Sequence, residues 1–117
     1  MPPLSKTALR KLIEFGETAT VELKVASPRP DEMAERLCGL ANAQGGYIIV
    51  GIADESLEIV GVPDKKIALT KDVILRATRQ MIKPMLLLNP PEPEVYVLDG
   101  RSLVVATVPP NNVLSLF

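Results

Sequence analysis

The sequence predicts an α+β fold, a mixed β-sheet with packed helices in the order α-β-α-β-β-α-β-β. "TVELKVA" alternates apolar and charged residues, "GGYIIVGIA" is a continuous apolar run, and "VYVLDGRSLVVATV" sets Asp99-Gly100 between two β-branched runs. Between these stretches the apolar residues recur at helical spacing. The 117 residues suit one domain, since domains commonly run to about 100–150 residues. We read the domain as 1–108 and residues 109–117 as an apolar tail.

Ser5 is placed to cap a first helix that runs to residue 15, with Leu9, Leu12 and Ile13 on its apolar face and Gly16 as its stop. In the following strand Val21, Leu23 and Val25 alternate with Glu22 and Lys24, so one face is buried and the other polar. Pro28 and Pro30 end it. A second helix over 31–43 turns Met33, Leu37, Leu40 and Ala41 inward, with Cys38 on the same face and Glu32, Glu35 and Arg36 outward. Gly45 and Gly46 then start a strand buried on both sides, "ADES" makes a turn and "LEIVGV" a short return strand. The third helix is predicted over 70–83, stopped by Pro84, before the stiff segment "NPPEPE". Asp99-Gly100 is the strongest of the turn signals, a two-residue hairpin.

Composition removes several function classes. With no histidine, Ser-His triads and most transition-metal sites are out. One cysteine excludes an internal disulfide and multi-cysteine zinc sites. Four aromatic residues, two Tyr and two Phe, leave little with which to stack single-stranded bases. Any chemistry would fall to carboxylates and lysine with a hard ion such as Mg²⁺ or Mn²⁺. No apolar run reaches the ~20 residues of a membrane span, and "MPPLSKTALRKL" lacks a signal-peptide pattern, so we expect no membrane association and a cytoplasmic protein.

The formal net charge is −1, unevenly spread. Residues 1–64 hold six Lys/Arg against ten Asp/Glu, and residues 65–117 hold seven against four. Lys65, Lys66, Lys71, Arg76, Arg79 and Lys83, against Asp72 alone, concentrate the positive charge around the third helix. Such a face can neutralise phosphates or simply be solvated. Lys6, Arg10 and Lys11 would extend it if the first and third helices lay side by side.

Glu22 and Lys24, two apart on a strand, share a face. Their simpler role is in ion pairs or phosphate positioning on a sheet face; the alternative is that one ligates a metal while the other stabilises a phosphate. Gly45-Gly46 follows a helix instead of preceding one, the wrong order for a phosphate cradle. Its simpler role is a left-handed stop at Gly45 and close packing at Gly46. Asn42 could reach the backbone there. The tail "PPNNVLSLF" carries Val113, Leu114, Leu116 and Phe117 without a visible partner, and we expect the start of a further element of a longer protein, or an oligomer contact.

"GETATVELK", "LANAQGGYIIVGIAD" and "IVGV" together resemble the Schlafen/AlbA-type DNA-binding domain, formerly grouped as divergent AAA, of bacterial and archaeal transcriptional regulators and of Schlafen proteins. The resemblance covers residues 5–108, with Thr18, Leu23 and Ala43 where the usual pattern has Ser, Phe and Thr. It implies a nucleic-acid-binding module, often followed by winged-helix or ATPase-like parts. In Schlafen ribonucleases three acidic residues hold a divalent metal; the matching positions are Glu17, Glu22 and Asp54, with Lys24 as electrostatic stabiliser. The leading expectation is the N-terminal module of a transcriptional regulator that binds phosphates of nucleic acid, DNA ahead of RNA, through Lys24, Lys65, Lys66, Lys71, Arg76, Arg79 and Lys83. The alternatives are a Mg²⁺- or Mn²⁺-dependent ribonuclease using Glu17, Glu22, Lys24 and Asp54, and a protein-interaction or homo-oligomerisation module.

Overall fold

Helix α1, Lys6–Phe15, starts where the sequence places it: the Ser5 hydroxyl accepts from the Ala8 N–H at 3.0 Å. The computed structural model describes residues 4–111 and 113–117; residues 1–3 and 112, which belong to the domain and the tail read from the sequence, lie outside them. Gly16, at φ 81°, ends α1 and donates to the Leu12 and Ile13 carbonyls. Strand β1, Val21–Lys24, follows, then helix α2, Pro30–Ala43, with proline at its first turn and Asp31 and Glu32 beside the positive end of its dipole.

Strand β2, Gly46–Val50, pairs parallel to β1, with Val21 opposite Tyr47 and Lys24 opposite Val50. Gly45, at φ 77°, donates to the Leu40 carbonyl, and Gly46 lies so close to β1 that a Cβ there would sit 2.1 Å from the Thr20 carbonyl oxygen. Both glycine roles read from the sequence are met. After β2 the chain turns over residues 53–58, and the return segment pairs through one bridge, Ile52 to Ile59. Extension stops there because the N–H groups of Val60 and Gly61 both converge on the Gly51 carbonyl.

Helix α3 spans Asp64–Arg76, beginning six residues before the predicted start, and continues into a π-turn, Ala77–Met81. The charged run after Pro63 is the helix's exposed first turn, and Ile67, Thr70, Ile74 and Ala77 provide its inward stripe. Strands β3, Glu94–Leu98, and β4, Arg101–Val108, form the expected hairpin around Asp99 (φ 52°) and Gly100 (φ 71°). The sheet order is β1-β2-β4-β3, mixed in direction.

The strand alternation splits the core in two. Val21, Leu23, Ile49, Leu103 and Val105 face α1, against Leu9 and Ile13. Ile48, Val50, Val104 and Ala106 face the other way, under α2 and α3, against Met33, Leu37 and Ile74. Each such fully buried aliphatic side chain stabilises the fold by about 1.5–3 kcal/mol relative to exposure. Because α1 and α3 lie on opposite faces, Lys6, Arg10 and Lys11 do not extend the α3 charge. Arg10 instead holds Asp99 with two hydrogen bonds, 3.1 and 3.2 Å long. No helix among the described residues is long and apolar enough to cross a membrane.

Candidate nucleic-acid interface and acidic pair

On β1, Val21 and Leu23 point to the α1 side, so Glu22 and Lys24 are directed to the α2 side. There they meet two residues that the sequence reading left facing solvent. Lys24 Nζ lies 3.3 Å from Glu32 Oε2, and Arg36 Nε lies 4.0 Å from Glu22 Oε1. Glu32 and Arg36, four apart on α2, form one helical ridge. Strand and helix therefore carry two pairs of opposite polarity that face each other across the open side of the sheet.

Glu17 does something different. Its Oε1 accepts from the Leu23 N–H at 3.2 Å on the outer edge of β1, while Thr18 and Val21 exchange backbone hydrogen bonds beside it. These residues close the β1 edge. The Glu22 carboxyl is pushed above the usual carboxylate range, first by burial, then by its hydrogen bond to Glu17 and the charge of Glu17; Arg36 and Lys24 oppose the shift. Glu22 borders an open cleft of about 380 Å³ lined also by Thr18, Glu35, Arg36 and Gly39.

Asp54 sits exposed on the turn after β2. Among the described residues no group of three or more Asp, Glu, Cys or His is placed to hold a metal ion. The structure thus brings Glu17 and Glu22 together, engages Lys24 with Glu32, and leaves Asp54 outside the group. A three-carboxylate metal centre does not fit these donors as they stand.

The other candidate surface is the outer side of α3 and the π-turn. Lys65, Lys66, Arg76, Arg79 and Lys83 are exposed and Lys71 is half-buried beside Pro90–Glu94. Arg76 pairs with Asp72 at 3.6 Å, one turn away. Among the described residues, Lys65, Lys66, Lys71, Arg79 and Lys83 make no ion pair.

Sequence reasoning misplaced Asn42. Its amide does not reach the glycines but clasps the tail: Asn42 Nδ2 donates to the Ser115 carbonyl at 2.8 Å and Oδ1 accepts from the Ser115 N–H at 2.9 Å. Lys83 and Leu116 add a backbone bridge, and Cys38 Sγ donates to the same Ser115 carbonyl. Backbone and Ser115 are docked, while Val113, Leu114, Leu116 and Phe117 remain exposed.

The model of the Schlafen, AlbA_2 family matches residues 17–115, from the edge-closing Glu17 to the clasped Ser115. The chain belongs to that family. Two solved structures are similar to it in fold. One is the N-terminal domain of a putative ATP-dependent DNA helicase RecG-related protein from Nitrosomonas europaea, 23% identical, with a TM-score of 0.60 over 89% of this chain and 71% of that one. The other is the DIP2311 protein from Corynebacterium diphtheriae, 17% identical, with a TM-score of 0.59 over 92% of this chain. This AlbA_2 chain spans only 22% of the DIP2311 protein's length.

Proposed function

We propose that this AlbA_2 domain binds nucleic acid, DNA in preference to RNA, through the phosphate backbone, as a cytoplasmic module of a transcriptional regulator. The observation that carries the reading is the set of five unpaired cations on α3 and the segment following it, Lys65, Lys66, Lys71, Arg79 and Lys83, joined by Arg76. Unpaired ammonium and guanidinium groups on one element can displace counterions from a phosphate backbone, whereas cations already bound to carboxylates, such as Lys24 with Glu32, bring little net charge. Family membership supports the reading, and so does one neighbour being the N-terminal domain of a protein described as ATP-dependent DNA helicase RecG-related. With few aromatic residues and, among the described residues, no element offering a row of base-reading side chains, the contact is to phosphate and not to sequence. Replacing Arg76 and Arg79 by Glu should weaken binding to all duplexes alike, read by fluorescence anisotropy at low salt; unchanged affinity would overturn the assignment.

Metal-dependent RNA cleavage is the second reading, favoured by one observation, the adjacent Glu17 and Glu22 carboxylates. It is tested by incubating labelled single-stranded RNA with Mn²⁺ and the protein. Cleavage that disappears in the Glu17→Ala, Glu22→Ala double variant would establish it, and intact RNA would remove it.

A further inference from the structure

The two edges of the sheet are treated differently. At β1, Glu17 accepts from the outward Leu23 N–H, and Thr18 occupies both outward backbone groups of Val21. At β3 nothing comparable occurs. The two-residue turn makes Leu98 and Arg101 a mutually hydrogen-bonded pair, and alternation then assigns the inward bonds to Glu94, Tyr96 and Leu98. Val95 and Val97 consequently direct both N–H and C=O away from the sheet, and no loop among the described residues meets them. Their side chains are 39% and 47% exposed. An open edge of this kind, with apolar side chains, is a template for another strand.

We infer that β3 is the interface of a homodimer in which β3 pairs antiparallel with β3 of a second copy about a two-fold axis through Tyr96. The register is self-complementary. Val95 lies opposite the partner's Val97, so the outward donors and acceptors of both residues in both copies are satisfied. Tyr96 meets the partner's Tyr96 on the α1 face, an aromatic cross-strand pair. Glu94 lies opposite the partner's Leu98, and the two Glu94 residues stand four strand positions apart, about 13 Å, beyond the screening length at physiological salt. No like charges are opposed. Pro91 and Pro93 limit the paired length at one end and the Asp99-Gly100 turn limits it at the other, so the interface is short and the dimer is weak. The sheet becomes eight-stranded with α3 of both copies on one side, independently of any nucleic-acid binding.

The test uses the whole chain without nucleic acid. Sedimentation equilibrium up to about 1 mM should show a monomer–dimer equilibrium, and hydrogen exchange at the Val95 and Val97 amides should slow as concentration rises. Val97→Pro removes an outward donor without removing a bond to β4, so the monomer should keep its circular dichroism spectrum while dimerisation weakens at least about tenfold. Val95→Lys, which leaves the backbone intact, should do the same if proline disturbs folding. A monomer at every concentration would overturn the inference. So would a dimer that survives both substitutions, which, if lost on deleting residues 110–117, would assign association to the apolar tail.

Discussion

Removing the Asn42 amide should loosen the docked tail and cost the domain about 1.5–4.5 kcal/mol. In the native structure Ser115 is 1% exposed, and both of its backbone groups are held by this one side chain, at 2.8 and 2.9 Å. Asn42→Ala strands the Ser115 N–H, at a cost of about 1–3 kcal/mol for an unsatisfied buried group. The Ser115 carbonyl keeps the Cys38 thiol as a partner, so its loss is only that of an ordinary hydrogen bond, about 0.5–1.5 kcal/mol. Asn42→Asp should fall between, since it retains an acceptor for the N–H but sets an oxygen against the carbonyl. Urea unfolding monitored by circular dichroism measures the loss. Native-state labelling of Cys38, which is buried under Ser115, gives an independent readout and should become faster. If Asn42→Ala leaves both the urea midpoint and the labelling rate unchanged, the clasp is not energetically coupled to the fold.

Glu22→Gln should make the protein more stable at pH 7. Because the folded-state value of Glu22 is raised, its contribution is fully present below the ordinary carboxylate pKa and lost as pH rises through the raised value, so the gain from Gln should shrink on acidification. Urea midpoints at neutral pH and near pH ~4, the ordinary carboxylate value, test the sign, and a variant less stable at pH 7 would show that the Arg36 pair outweighs burial. Gly46→Ala should destabilise by about 1–3 kcal/mol or more, because the new methyl meets the Thr20 carbonyl and must push β1 away from β2; a thermal midpoint equal to wild type would mean that the strands are not held this closely. Asp99→Ala should weaken the hairpin through loss of a residue suited to positive φ, whereas Asp99→Asn should retain it while losing the Arg10 ion pair. Equal midpoints for the two variants would argue that backbone strain at this position does not matter, and an Asp99→Asn midpoint equal to wild type that the ion pair does not.

The sequence made the fold legible where a local signal determined the structure. The Val21, Leu23 alternation, the Ser5 cap, the Gly45-Gly46 stop and the Asp99-Gly100 turn all depend on backbone preferences acting within a few residues. The start of α3 was missed because its first turn is exposed and charged, with only Ile67 to betray an inward face. The site was legible by type and less so by partner. That Glu22 and Lys24 share a face follows from strand geometry, but that Arg36 and Glu32 would be brought over them depends on how α2 crosses the sheet. The placement of Lys6, Arg10 and Lys11 failed for the same reason, since periodicity shows which side of a helix is buried and not which face of the sheet receives it. Asn42 carried no local signal, as its partner lies 73 residues away.

The most direct test of phosphate binding through α3 is the salt dependence of duplex DNA affinity. With the five unpaired cations and Arg76 all neutralising phosphates, log Kd against log salt should have a slope of about 5, falling by about 2 in the Arg76→Glu, Arg79→Glu variant. A slope near zero, or one that the double substitution leaves unchanged, would contradict it.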